Sequence, residues 1–147
     1  MLTFDEFCSL SPKEIREHTP RSMIFAAGGT RRAAALAGIR DQDKYVKWSA
    51  EQLLTSFGLF AKYGIEHIVT HAIVPTQWNE VTPGYREKLV GWISETLTSD
   101  QTITAYQNRN WRETMIGIES IHEFKAVSKQ LKKTFPVKEK YKLTIHY

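Results

Sequence analysis

Short apolar segments alternate with helical segments along this chain, and this alternation constrains the fold more than any other feature. Four segments are rich in β-branched and other apolar residues and are predicted to be strands: 22–27, 66–74, 113–118 and 142–147. Strands that alternate with helices imply a parallel sheet whose crossovers are right-handed. The predicted fold class is therefore α/β, a parallel sheet with flanking helices.

Signals for helix starts and ends lie between the predicted strands. Ser11, Pro12 and Glu14 supply a serine cap, a proline at the first helical position and a glutamate at the third. Gly64 is placed to end a later helix as its C-terminal cap. Apolar residues three and four positions apart predict the longer helices, over about 43–63, 82–97, 99–110 and 121–134.

The composition favours a single folded domain. The chain has 147 residues, of which 41% are hydrophobic, so it can bury a sizeable core. Its one cysteine, Cys8, has no partner for a disulfide, and we expect a reducing, cytoplasmic location. No apolar run approaches the roughly 20 residues that span a bilayer, and the N-terminal residues lack a signal-peptide pattern. The lysines late in the chain predict a solvated helix face rather than a nucleic-acid site.

The histidines do not predict a metal site. His67 and His71 are four residues apart on a predicted strand, which separates them by about 13 Å, too far to share one ion. The remaining three, His18, His122 and His146, have no obvious ligand partners in the sequence. We therefore expect no zinc site in this chain.

The first predicted strand runs into a segment suited to bind an anion. Gly28 and Gly29 let backbone N–H groups approach an oxyanion, and Thr30 adds a hydroxyl donor. Arg31 and Arg32 carry planar guanidinium groups that match phosphate geometry. A helix-prone run follows at 33–37, with its N-terminal end close to the same ligand. The alternative is an ordinary surface turn followed by two arginines.

Polar residues also follow two other predicted strands. They occupy 75–80 after the second strand and positions 119 and 120 after the third. The carboxyl ends of parallel strands meet at one edge of a sheet, and ligands of such sheets bind there. The three polar clusters together favour the anion site over the surface turn.

These loops and this order of elements resemble the cis-prenyltransferases, the undecaprenyl diphosphate synthase family. Their first strand ends in Asp-Gly-Asn-Gly-Arg-Trp, which binds a diphosphate and its magnesium, and 28–33 keeps one glycine, Gly29, and the arginine, Arg32. Their second strand leads into a Ser-x-Glu-Asn-Trp loop, of which this chain keeps the tryptophan, Trp78. The resemblance implies that Thr76, Gln77 and Trp78 bind substrate together with 28–32.

A divergent branch of that fold, the tuberculosinol/tuberculosinyl adenosine synthase type, is more similar still. Its motif is Asp-Gly-Thr-Arg-Arg-Trp, of which Gly29, Thr30, Arg31 and Arg32 keep four residues in a row. That branch also uses a downstream tyrosine, and Tyr45 lies at the corresponding spacing. The resemblance covers about residues 20–147. It implies a terpene synthase or prenyltransferase acting on an allylic prenyl or terpenyl diphosphate, with Arg32 and Tyr45 as catalytic residues.

Two departures from the family pattern affect this expectation. The resemblance implies Mg²⁺ as cofactor, but Gly28 stands where the family has its metal-binding aspartate. The nearest acids are Asp41, Asp43, Glu80 and Glu119. The family also has a C-terminal part that 1–147 lacks, with much of its dimer interface. Residues 1–147 then form one cis-prenyltransferase-like domain, for which three alternatives are open. The domain is a fragment, or a partner completes it in a homo- or heterodimer, or it has lost activity.

Other interpretations remain open beside the enzyme. The chain is alternatively a non-catalytic partner subunit of a cis-prenyltransferase-type complex, or an unrelated α/β domain that binds anions. Trp78 is alternatively a packing residue, and Tyr45 an ordinary residue at the start of a helix. The large apolar residues of the helices fill either a solid core or the wall of a tunnel.

Overall fold

A four-stranded parallel sheet forms the centre of the molecule. The computed structural model describes residues 3–28, 30–74, 78–79, 82–117, 121–137 and 140–147. The sheet order is β1-β2-β4-β3, and every neighbouring pair is parallel. This confirms the predicted α/β class. The strands are β1 (Ser22–Phe25), β2 (His67–Thr70), β3 (Trp111–Thr114) and β4 (Leu143–His146).

Helices precede the sheet and connect its strands. Two short ones, α1 (Phe4–Ser9) and α2 (Pro12–His18), each begin with a complete capping box. The rest are α3 (Thr30–Leu36), α4 (Gln42–Lys62), α5 (Pro83–Thr98), α6 (Asp100–Arg109), a 3-10 turn (His122–Phe124) and α7 (Lys125–Thr134). The sequence did not predict α1.

Several predicted boundaries were wrong by a few residues. The third strand begins at Trp111 rather than 113, because α6 ends at Asn110, whose left-handed backbone (φ 55°) turns the chain directly into β3. Strand β2 ends at Thr70 rather than 74, and β1 at Phe25 rather than 27. Helix α3 starts at Thr30, within the predicted anion loop, and not at 33.

The register assigns each strand residue to one of two faces. The face that we call the covered face carries one row formed by Met23, Ile68, Ile145 and Glu113. Helix α4 packs on this face, where the Phe25 ring makes edge contacts with the rings of Phe57 and Phe60. Helices α5, α6 and α7 complete the core with Leu97, Tyr106, Val127 and Leu131.

The opposite face, which we call the open face, is accessible to solvent over β1 and β2. Ile24 is 82% exposed and Val69 is 39% exposed, and His67 is exposed beside them. On β4 the ring of His146 stacks against that of His67, with 6.1 Å between centroids. The functional candidates of the sequence therefore lie over the covered face and at its edge.

Candidate functional site

A cavity of about 570 Å³ opens where the strands end, as the sequence predicts for a ligand site. Its base is formed by the ends of β1, β2 and β4, and its walls by α4 and α5. The volume lies within the range of small-molecule sites in proteins, roughly 300–1,000 Å³. The helices therefore line a cavity here, and do not form a solid core throughout.

The predicted anion loop forms one end of this cavity. Gly28, Thr30, Arg31 and Arg32 all line it. The Thr30 hydroxyl is 2.7 Å from the Tyr45 hydroxyl, which ties the start of α3 to the start of α4. Two neighbouring guanidinium groups without a carboxylate partner in the described lining give this end a positive charge.

Arg31 also connects the loop to the opposite wall. Its Nη2 atom donates a hydrogen bond of 2.8 Å to the Tyr85 hydroxyl of α5. A second, adjoining depression of about 800 Å³ shares both residues and is lined in addition by Arg40. Arg31 and Arg40 thus place two basic groups along this depression.

The walls of the cavity are aromatic and aliphatic. The rings of Tyr85 and Trp92 meet edge to face with centroids 6.0 Å apart. The Trp92 indole N–H donates to an Asp43 carboxylate oxygen at 3.2 Å, which fixes the ring between α4 and α5. Aliphatic lining is supplied by Val46, Leu53, Leu89, Ile93 and Leu97. An apolar chain attached to an anionic head group is the kind of ligand that matches both ends.

Polar groups lie at the base of the cavity and below it. Thr70 and Tyr147 line the cavity, and the Tyr147 hydroxyl is 3.2 Å from that of Tyr106. Glu113 lies behind this tyrosine pair, 1% exposed, and neither of its carboxylate oxygens has a hydrogen-bond partner among the described residues. Burial raises the pKa of Glu113 well above its usual range, so its neutral form is favoured. Burial likewise raises the pKa of both tyrosines.

The described lining does not fit Mg²⁺. This ion is held in proteins by one or two carboxylates together with phosphate oxygens and water, and none of the described residues around the cavity is acidic. The Asp41 carboxylate accepts the Lys44 N–H at the start of α4. Glu80 and Glu119 lie outside the described residues. Within the described ranges, no group of three or more His, Cys, Asp or Glu side chains is placed to hold a metal ion.

The structure brings most of the predicted site residues together. Gly28, Thr30, Arg31, Arg32 and Tyr45 all line the cavity. Gly29, Thr76 and Gln77 lie outside the described residues, so their predicted roles stay predictions.

Trp78 is placed differently from the other predicted residues. It is buried and is not among the residues that line the cavity. Its ring packs 6.1 Å from that of Phe124, and the Arg86 guanidinium lies 4.7 Å above it. This arrangement is the packing alternative that the sequence left open. A role of Trp78 in binding substrate stays a prediction.

Sequence reasoning did not identify the polar residues at and below the base of the cavity, Thr70, Tyr147 and Glu113. Tyr147 is the last residue of a predicted strand, a position that could have marked it as a candidate. Thr70 lies in the middle of the predicted strand 66–74 and carried no such signal, because only the structure ends β2 there. Glu113 carried a weaker signal, a single acid within a segment that is otherwise apolar or hydroxylated. Which face each of these residues occupies follows only from the register of β2, β3 and β4.

Comparison with known proteins adds one relative. No protein-family model matches the chain. Over 111 residues, the chain is 38% identical to a (+)-kolavelool synthase from Herpetosiphon aurantiacus. The chain is related to a terpene synthase. The matched segment is 75% of this chain and 38% of that relative, so the chain spans less than half of the relative's length. Membership of the cis-prenyltransferase branch stays a prediction.

No helix in the described ranges is long and apolar enough to cross a bilayer. The longest of them, α4, carries lysine, glutamate and aspartate side chains along its 21 residues. Leu53 of α4 lines the cavity and Phe57 is buried in the core, whereas Leu59 is exposed.

Proposed function

We propose that this chain binds an allylic prenyl or terpenyl diphosphate and promotes loss of its pyrophosphate, as part of a terpene synthase or prenyltransferase. The observation that carries the proposal is one cavity with two guanidinium groups at one end and aromatic and aliphatic walls beyond them. The relationship to a (+)-kolavelool synthase supports the same class of chemistry.

The arginine end would act on the leaving group. An allylic C–O bond breaks readily once the negative charge that develops on pyrophosphate is neutralised. Arg31 and Arg32 supply that charge, and the Thr30 hydroxyl supplies a hydrogen-bond donor. Tyr45 is held to Thr30 at 2.7 Å, so it positions the hydroxyl that faces the diphosphate.

The walls would act on the carbon chain. An allylic cation survives only where water is scarce, and the face of an aromatic ring stabilises it. Tyr85 and Trp92 present such rings beside the arginine end. The aliphatic residues farther along α4 and α5 would hold the apolar chain.

Arg32→Ala tests this proposal, with geranylgeranyl diphosphate as substrate and released pyrophosphate as the readout. We expect a loss of roughly 10- to 100-fold in kcat/KM, the effect of removing one charged hydrogen-bond partner. Arg21→Ala is the matched control, because Arg21 precedes β1 at the far end of the sheet and its side chain is 81% exposed. Equal activity of the Arg32→Ala variant and the parent would contradict the assignment.

A second candidate is a non-catalytic partner subunit of a cis-prenyltransferase-type complex. The observation that favours it is the absence of an acid from the described lining, with Gly28 at the motif position. This subunit would bind geranylgeranyl diphosphate with Arg32-dependent affinity but release no pyrophosphate on its own. Isothermal titration beside the turnover assay therefore separates the two candidates. We also propose that the protein assembles as a homo- or heterodimer and is located in the cytoplasm.

A further inference from the structure

One buried hydroxyl at the base of the cavity has no partner. Thr70 is the last residue of β2 and is only 6% exposed, yet its Oγ1 atom makes no hydrogen bond to any described residue. Thr70 also lines the cavity. Buried hydroxyls are nearly always hydrogen-bonded, so an unpaired one that borders a cavity indicates a polar ligand or a water molecule inside it.

A second hydroxyl lies beside it. Val69 pairs with His146 across β2 and β4, so the next residues, Thr70 and Tyr147, are neighbours, and both line the cavity. The Tyr147 hydroxyl is held at 3.2 Å by that of Tyr106. The two neighbouring residues, Thr70 and Tyr147, line the base of the cavity beneath its mainly apolar walls, and we call them the polar base.

The polar base lies close to where the diphosphate would be held. Thr70 pairs with Phe25, the last residue of β1, and the anion loop begins three residues after Phe25. A small polar molecule on the polar base would therefore lie next to the allylic carbons and not at the distant end of the apolar chain.

We propose that Thr70 and Tyr147 hold the water molecule that captures the allylic cation. The inference rests on the proposed function. The C–O bond to pyrophosphate breaks with its electron pair on the leaving group, and a lone pair of the held water forms the new C–O bond. The proton that this water loses passes to an oxygen of the departing pyrophosphate. Diphosphate ester and water thus become an allylic alcohol and protonated pyrophosphate.

Without the held water, the allylic cation reacts in a different way. A carbon next to the cation then loses a proton to pyrophosphate and an olefin forms, with the same leaving group released. The polar base therefore controls which product forms, whereas the arginine end controls how fast pyrophosphate leaves. These two quantities can be measured in one reaction.

The test compares Thr70→Val, which keeps the shape but lacks the hydroxyl, with Thr70→Ser, which keeps the hydroxyl. With geranylgeranyl diphosphate, we expect the alcohol-to-hydrocarbon ratio to fall about tenfold or more in Thr70→Val, while pyrophosphate release stays close to that of the parent. Thr70→Ser keeps the parent ratio, and Tyr147→Phe lowers it. An unchanged ratio in Thr70→Val, or an equal fall in Thr70→Ser, overturns the inference.

Crystal structures of the same proteins decide the inference even if the chain releases no pyrophosphate. We expect an ordered water within hydrogen-bond distance of Thr70 Oγ1 in the parent and in Thr70→Ser, and none there in Thr70→Val. A parent structure in which this hydroxyl contacts only carbon atoms, or bonds to the backbone, overturns the inference. Lack of pyrophosphate release with the water in place overturns the proposed function alone.

Discussion

The two faces of the sheet differ in both packing and chemistry. On the covered face, Ile68, Leu143 and Ile145 are completely buried and the cavity adjoins them. On the open face, Ile24 and Val69 remain exposed on the same two strands that border the cavity. Purely parallel sheets usually have both faces covered. The candidate site thus adjoins the covered face, whereas the open face is exposed over β1 and β2.

The ionisable groups of the two faces also respond to pH in opposite directions. Burial raises the pKa of Glu113 on the covered face. On the open face the pKa of His146 is lowered, first by partial burial and then by the positive charges of His67 and Arg112. Each face therefore disfavours the charged form of its titratable group. Glu113 becomes charged by losing a proton, whereas His146 becomes charged by gaining one.

The largest expected difference between the faces is in stability. Ile68→Ala should lower the free energy of unfolding by about 2–5 kcal/mol, because it opens a space in a packed core. Ile24→Ala should change it by less than about 1 kcal/mol, since the side chain is 82% exposed on an edge strand. Urea unfolding of both variants measures the contrast. Similar losses in the two variants would show that Ile24 is covered in solution.

Glu113→Gln should remove a pH dependence that originates on the covered face. Folding raises the pKa of Glu113 above its ordinary value of 4.5, so the stability contributed by the protonated carboxyl is fully present at pH values below 4.5. The contribution is lost as pH rises through the raised pKa. Thermal unfolding should therefore show the glutamine variant gaining stability over the parent as pH increases above 4.5. A constant difference between the two proteins across that range would contradict a buried neutral acid.

His67→Gln tests the open face and should have a smaller effect. Removal of the neighbouring imidazole takes away one of the positive charges that lower the pKa of His146, so that pKa should rise while burial still holds it down. In the parent, stability from His146 is present above its ordinary value of 6.5 and is lost as pH falls through the lowered pKa. NMR titration of the His146 ring measures the change, with His18→Gln as a control that removes an imidazole outside the pair.

The sequence predicted the architecture well because local patterns determine it. Alternating strands and helices predicted the α/β class, and Gly28, Thr30 and the two arginines that follow β1 line the cavity at the strand ends. Tyr45, which only a family resemblance indicated, lies beside Thr30 and lines the same cavity. The cap residue Ser11 acts as its position predicts.

The remaining features depend on contacts between distant segments. Trp78 meets Phe124 across 46 positions of sequence, and no local pattern shows this. Predicting that Thr70 and Tyr147 are neighbours requires the register of β2 against β4. Predicting that Glu113 is buried requires knowing which face of β3 is covered. A strand prediction alone does not say which of the two alternating sets of side chains faces the core, or which residues of distant strands are neighbours, because both depend on how the strands pair.

The hydrogen bond from Arg31 to Tyr85 makes the protein itself a competitor for the ligand. Arg31 carries five N–H donors, and one of them is bonded to the Tyr85 phenol at 2.8 Å. A diphosphate that took this donor would have to displace the phenol, and part of the binding free energy would be spent in breaking that bond. Tyr85→Phe, which has no such bond to break, should bind inorganic pyrophosphate a few times more tightly by titration calorimetry. The Tyr85 phenol would thus leave Arg31 when the head group enters and return to it when the head group departs.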